Sequence, residues 1–333
     1  MAKNVFQLHG TDNRGKRILR RRLSREALLP FIANLKPCLI GIEACGGAHY
    51  WTREFTKLGH TVKMMSPQFV KPYVKSNKND ERDAEAIVEA VIRPTMRFVP
   101  LKSIEQQDIL LLHRARELAM KQRVAQSNQI RGFLAEYGIV VSKGAGSLEK
   151  LPEILSEHKD KLTPQAHDVF MQLHEQLKTY SKQVEHYTKQ VERHAAQDAR
   201  CVAIQEIEGI GPITASAIVG TVSDASVFKS GREMADWLGL VPKQHSSGNK
   251  VILVSISKRG DSYLRALLIH GGRSFLKSCT NKHDKKSNWA NNKKLRAGYN
   301  KTAVAIANKN ARTIWAMLAT GESYRKPQPV NAA

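Results

Sequence analysis

Asp80 and Asp83 stand three residues apart in the stretch Asn79-Asp80-Glu81-Arg82-Asp83-Ala84. Ile87, Val88, Val91 and Ile92 follow at helical spacing, so the stretch reads as the start of a helix. Residues three apart share a helical face, and both carboxylates can aim at one spot. Paired carboxylates suit Mg²⁺, a hard cation that takes oxygen ligands and shares them with phosphate. Lys71, Lys75 and Lys78 precede the pair and suit the phosphate itself. The competing reading is that the acids only offset the positive end of the helix dipole. Glu43 ends the apolar run Pro37-Cys38-Leu39-Ile40-Gly41-Ile42, which reads as a buried parallel strand. The carboxyl end of such a strand is where open α/β sheets place their chemistry. Glu43, Asp80 and Asp83 could together hold Mg²⁺ against a phosphodiester. Gly46-Gly47 would let a ligand backbone come close. Glu43 as an ordinary surface residue at a strand end is the alternative.

A second group lies far along the chain. Pro242-Lys243-Gln244-His245-Ser246-Ser247-Gly248-Asn249-Lys250 reads as a polar loop in which Lys243 and Lys250 flank two serines. A serine can attack phosphorus if its proton is removed and cations clamp the phosphate. Ser257-Lys258-Arg259-Gly260-Asp261 then caps a helix. Glu208-Gly209-Ile210-Gly211-Pro212 reads as the turn of a helix-hairpin-helix. Gly209 and Gly211 there would leave backbone N–H groups open to a phosphate. An ordinary interhelical turn is equally compatible. From Arg273 onward bases dominate, with Trp289, Tyr299 and Trp315 between them, as in a surface that follows a nucleic-acid backbone.

Elements must position these groups. Val5–His9 and Arg17–Leu23 read as a hairpin, Ser24 as a helix N-cap, and Thr61–Met65 as a further strand. The order β-β-α-β-α-β-α describes a small α/β domain over 1–100. Leu111, Ala115 and Leu118 mark a helix by their steps of four and three. Phe170, Leu173, Leu177, Tyr180, Val184, Tyr187 and Val191 make an unbroken heptad seam. The expectation is an antiparallel coiled-coil arm over 101–198, able to serve as a dimer contact, and a helical domain over 199–333. Lys and Arg number 53 against 30 Asp and Glu, a formal charge of +23, so a polyanion is the expected partner. No apolar run approaches the roughly 20 residues that span a bilayer. Four scattered cysteines, Cys38, Cys45, Cys201 and Cys279, form neither a disulfide framework nor a zinc motif, which fits a reducing cytoplasm.

Four motifs in order carry a resemblance. They are Gly41-Ile42-Glu43-Ala44-Cys45-Gly46-Gly47, Asn79-Asp80-Glu81-Arg82-Asp83, Glu208-Gly209-Ile210-Gly211, and Gly239-Leu240-Val241-Pro242 with Ser247-Gly248. Over nearly the whole chain the sequence is similar to the DEDD transposases of the insertion-sequence one-ten family, relatives of the Piv invertase. The resemblance implies a RuvC-like, RNase-H-type domain, a coiled-coil arm and a C-terminal transposase domain. It implies that Glu43, Asp80 and Asp83 are the second, third and fourth of four Mg²⁺-binding acids. It places the nucleophilic serine at Ser247, with Ser246 as the near alternative. It further implies DNA partners (element ends and target), a dimer or tetramer, a guide RNA in some members, and a bacterial cytoplasmic, nucleoid-associated location. The family opens with Gly-Ile-Asp-x-Ala-Lys, and here Ala2-Lys3 match only its tail. The first acid and the sheet's first strand are expected to be missing, leaving exposed edges, a thinned core and weak DNA cleavage. A non-catalytic nucleic-acid-binding remnant and a Holliday-junction nuclease are the other two readings.

Overall fold

The computed structural model describes residues 3–74, 79–144, 146–248 and 250–326. Lys75 and Lys78 lie outside the described residues. The architecture is mixed α/β, with helices predominating over three small sheets. The chain divides into two compact units, Met1–Ser103 and Ile104–Ala333.

The first unit runs β1 (Val5–Thr11), β2 (Arg17–Ser24), α1 (Arg25–Ala33), β3 (Leu39–Glu43), α2 (Ala48–Lys57), β4 (Thr61–Met65), α3 (Pro67–Val70), α4 (Asp80–Val91) and β5 (Phe98–Val99). Ser24 caps α1 by accepting from the Ala27 N–H, which closes one of the donors a helix start leaves open. Among the described residues β1 and β2 pair only with each other, while β3, β4 and β5 form a separate sheet in that order. β3 is parallel to β4, and the short β5 runs antiparallel to it, a strand the sequence reading did not foresee. With a neighbour on one side only, β3 is less covered than its apolar run suggests: Ile42 is buried but Leu39 is 44% exposed. Phe6, Leu28, Ile32, Ile42, Trp51, Phe55 and Met64 share one core. α4 closes tightly on β3 at Gly41, where an added Cβ would meet Ile87 Cγ2 at 2.9 Å.

The second unit begins with α5 (Ile104–Glu136), α6 (Leu151–Glu157) and α7 (Pro164–Gln197). Arg116 Nε donates to Thr188 Oγ1, and farther out Ile130 and Leu134 share a core with Phe170 and Leu177. Lower numbers on α5 meet higher ones on α7, so the two long helices pack antiparallel. Phe170, Leu177, Val184 and Val191, at steps of seven, are buried. α5 is a helix, but its buried face is not the one its apolar spacing marks. Leu111 and Leu118 are exposed, and Ile109, His113, Ile130 and Leu134 face inward. The segment after α5 is organised by Arg131, whose guanidinium donates to the carbonyls of Ser142 and Gly144.

The rest comprises α8 (Ala199–Ile204), α9 (Pro212–Thr221), α10 (Gly231–Trp237), β6 (Pro242–Ser247), β7 (Lys250–Ile256), α11 (Ser262–Ser278), α12 (Lys285–Ala297) and α13 (Tyr299–Thr320). Its core draws on α8, α9, α10, α11 and α13, with Ile204, Ile218, Met234, Leu268 and Ile314 fully enclosed. His113 of α5 is wholly buried between Ser216 of α9 and Tyr263 of α11. The Ser216 hydroxyl donates to the Pro212 carbonyl, so it accepts from His113 Nε2–H, and His113 Nδ1 accepts from Tyr263. Burial, then Arg116 and Arg114, bring the His113 pKa down to about 4.

Two predictions follow from these contacts. Gly41→Ala forces the stiff β-branched Ile87 and Val91 aside and should cost about 1–3 kcal/mol, read as a lower urea midpoint of the first unit. His113 stays neutral when folded while its unfolded counterpart takes a proton near pH 6.5. Stability is therefore complete above that pH and falls as pH drops toward 4, by at most about 3 kcal/mol. Urea midpoints at pH 7.5 and 4.5 should differ more for the parent than for His113→Gln.

Candidate active site

In the first unit the acids sit on the seam between β3 and α4. Asn79 caps α4 by accepting from the Glu81 N–H, which fixes Asp80 and Asp83 in the first turn. Ile87 and Val91 mark the stripe that meets Gly41. Stepping back from Ile87 by four and by seven reaches Asp83 and Asp80, on the same stripe. Glu43 is two residues beyond Gly41 and so lies on the same face of β3. Asp80 is exposed, and Glu43 and Asp83 are half-buried. Among the described residues no group of three or more His, Cys, Asp or Glu stands close enough to hold a metal ion. The oxygen-only donor set suits a hard divalent cation, but the three carboxylates are not gathered into a ready cage. Gly46 and Gly47 are exposed, with open space where a side chain would go, and Gly47 has φ +84° at the start of α2. Lys71 is exposed after α3, and Lys75 and Lys78 fall outside the described residues.

The serine segment is not a loop. Residues 242–247 form β6, paired antiparallel with β7, with Ser247 opposite Lys250 and Gly248 at φ +56° beyond it. The polar sequence alone has little strand preference; its partner, the run Val251-Ile252-Leu253-Val254, supplies it. Strand alternation then sorts the side chains. Ser247 shares its face with His245 two residues back and with Lys250 directly across. Ser246 faces the other way, and its hydroxyl accepts from Gln244 Nε2 at 2.8 Å. Among the described residues the Ser247 hydroxyl has no recorded partner, and the residue is exposed. His245 is a candidate that the loop reading did not single out. Reading a loop concealed the alternation that puts it beside Ser247.

Close backbone contacts fix the root of this hairpin. A Cβ on Gly239 would lie 2.1 Å from the Arg259 carbonyl, and one on Gly260 1.8 Å from that of Trp237. The Lys258 N–H donates to Gly239, and the Ser257 N–H to Val241. Between these clasps Lys258 takes φ +53°, the one non-glycine residue with positive φ among those described. A side chain in that region is uncommon and carries strain. Lys243, Lys250, Lys258 and Arg259 are all exposed around the hairpin.

The Gly209–Gly211 turn joins α8 to α9. Gly209 has φ +88°, and its side-chain space is filled by the Gly271 carbonyl at 2.5 Å. Its glycine is thus explained by packing against α11. Gly211 is exposed at the start of α9. Glu208, just before the turn, is bound by Lys286 Nζ at 2.7 Å and by the Tyr324 hydroxyl at 2.7 Å. Burial pushes the Glu208 carboxyl up, but those two partners outweigh it and hold it below the usual range. The interleaved aromatics of the basic tail are tied inward. Trp315 Nε1 donates to the Ala225 and Phe228 carbonyls, the Tyr299 hydroxyl donates to Arg273, and Trp289 lies under Lys309 Nζ at 4.7 Å.

Comparison with known proteins gives two family matches. Residues 201–288 match the Transposase IS116/IS110/IS902 family, and residues 1–139 match a DEDD-type IS110 model described as Transposase. The chain is 45% identical to a probable family 20 transposase of Pseudomonas aeruginosa, over 98% of this chain and 97% of that one. It is 45% identical to the transposase for insertion sequence element IS1111A of Coxiella burnetii, over 98% and 90%. It is 38% identical to the transposase for insertion sequence element IS1328 of Yersinia enterocolitica, over 98% and 97%.

Strain at Lys258 generates a prediction. Lys258→Gly removes the strain and Lys258→Ala keeps it, so the glycine variant should be the more stable of the two by up to about 1 kcal/mol. Thermal melting of both variants measures the difference.

Proposed function

The chain belongs to the IS116/IS110/IS902 family and is a DNA transposase, and we propose that it breaks and rejoins DNA through Ser247. The observation that carries this reading is the place of Ser247: exposed at the end of β6, with Lys250 across from it and His245 on its face. The Ser247 oxygen attacks a backbone phosphorus, and its proton passes to His245. The phosphorus–oxygen bond to one strand breaks, and the departing oxygen takes up a proton. The strand left on Ser247 is held as a phosphoserine ester. A hydroxyl of a second strand then attacks that phosphorus, the bond to serine breaks, and the serine recovers its proton. One phosphoester is exchanged for another, so no nucleotide is consumed. Lys250 and Lys243 neutralise charge that develops on the phosphate.

Glu43, Asp80 and Asp83 are the residues that would hold a divalent ion, Mg²⁺ by their chemistry, and the ion would polarise a phosphate oxygen when bound. Among the described residues the three do not stand as a ready cage. Lys71, Gly211, Lys258 and Arg259 contact DNA phosphates, and the excess of bases supplies the salt-dependent part of binding. The RuvC-like assignment of the first unit belongs to this proposal and rests on the family match over 1–139.

The test uses the full chain and DNA carrying element ends and target. Ser247→Ala should abolish strand joining and the covalent protein–DNA species, while Ser246→Ala keeps both. Joining by Ser247→Ala at the parent's rate would overturn the nucleophile. His245→Ala should lower the rate with a changed pH profile and unchanged binding. Asp80→Ala, and removal of divalent metal, should leave binding intact while reducing cleavage. Lys258→Ala should lower the salt slope of binding by about one.

A further inference from the structure

Arginines dominate β2, and the register with β1 sorts them. Gln7 pairs with Arg22, His9 with Arg20, and Thr11 with Arg17. The partners on β1 are two residues apart at each step, so Arg17, Arg20 and Arg22 stand in a row on one face, at a pitch of about 6.5 Å. All three are exposed. Their own spacing is three and then two, which would put Arg17 on the opposite face of a regular strand. A register shift at Gly10/Thr11 corrects this by leaving Ile18 without a partner, 70% exposed. Arg21, between two members of the row, points the other way and lies over the Phe31 ring at 5.5 Å. Arg20, the middle member, binds Glu81 in the first turn of α4, which also carries Asp80 and Asp83. The row therefore runs beside those acids.

We infer that Arg17, Arg20 and Arg22 form one phosphate-binding row that lays a single nucleic-acid strand alongside the turn of Asp80 and Asp83. The inference rests on the proposed role of those acids and not on Ser247. Charge selects the occupant. Among the described residues Arg17 and Arg22 have no ion-pair partner, and Arg20 has Glu81 alone. The Arg20 and Glu81 side chains are 50% and 42% exposed, so the pair is held weakly and a phosphate can take Arg20 from it. Asp12, in the β1–β2 turn, already accepts from the N–H groups of Arg14 and Lys16. Residue type narrows the choice further. Arginine presents a planar fork that grips a phosphate through two N–H groups. Charges on a free strand edge also keep sheets from pairing with one another, but lysine serves that purpose equally and on either face. Edge protection gives no reason for a bulge that brings a third arginine into line. A straight row at regular pitch follows one backbone, as successive phosphates of one strand do.

The experiment measures binding of the full chain to a fluorescent single-stranded DNA, and to an RNA of the same sequence, by anisotropy over a series of KCl concentrations. Arg17→Gln with Arg22→Gln should weaken binding and lower the salt slope by about 1.4, two phosphates at about 0.7 each. Arg17→Lys with Arg22→Lys keeps the charges and should keep the slope. Arg21→Gln, on the other face, should leave slope and affinity as in the parent. Loss on both strands assigns the row to phosphate alone, and loss on one names that strand as its occupant. Circular dichroism checks folding, and a misfolded double variant is replaced by Arg22→Gln, for which about half the change is expected. A glutamine variant with the parent's slope, or an equal fall with Arg21→Gln, overturns the row. Asp80→Ala should keep the slope while losing cleavage, so failure of the acids and failure of the row are read apart.

Discussion

Backbone meeting backbone is the constraint on which the second unit depends. Gly209 lies against Gly271, Gly272 against the Ala303 carbonyl, Gly239 against Arg259, and Gly260 against Trp237. At each, a single methyl group would overlap a neighbouring peptide. These contacts bring α11 against the α8–α9 turn at one point and against α13 at the next. They also set the two ends of the β6–β7 hairpin on one clasp. Polar side chains complete it, with Arg265 donating to the Leu238 and Arg259 carbonyls and Asn308 to that of Leu240. Small residues were spent where the chain crosses itself, so the hairpin leaves the helices in one direction.

Charge is arranged on top of that frame. The acid beside the proposed phosphate-binding turn is neutralised. Glu208 precedes the Gly209–Gly211 turn, and Lys286 and Tyr324 both bind its carboxylate. Leaving that carboxylate bare would set a negative charge beside backbone donors suited to an anion. The bases around the hairpin, in contrast, stay exposed. The excess of cations is thus not offset by Glu208, whose charge Lys286 and Tyr324 already take up.

Most of the fold could be read from periodicity. The heptad of α7 and the Ser24 and Asn79 starts of α1 and α4 carry signals within a few residues of themselves. What could not be read depended on distant partners. Leu111 and Leu118 look like a core stripe, yet α5 buries Ile109 and His113, because α9 and α11 approach from that side. Gly209 reads as one of two glycines with backbone N–H groups open to a phosphate, and no local signal shows that its side-chain space is filled by Gly271, 62 residues later. Residues 242–247 read as a loop because their strand character lies in 250–256. That one error hid His245, since a loop has no faces and a strand has two. The carboxylates were legible as types and spacing, while their gathering into a cage was a matter of tertiary distance that no local pattern encodes.

A two-stranded hairpin exposed on both sides is marginally stable alone, and among the described residues this one is anchored at its root. The nucleophile proposed there, Ser247, is easy to present and costly to hold still. Catalysis at phosphorus needs the attacking oxygen fixed to within fractions of an ångström, or the advantage of proximity is lost. The proposed chemistry at Ser247 therefore requires that the hairpin be stiffened when DNA is bound. Its apolar strand offers phosphates nothing, so that rigidity has to come from the cations around the hairpin, Lys243, Lys250, Lys258 and Arg259, which are exposed. For a protein that moves DNA, cutting only when partners are in place protects the host sequence from unpaired breaks.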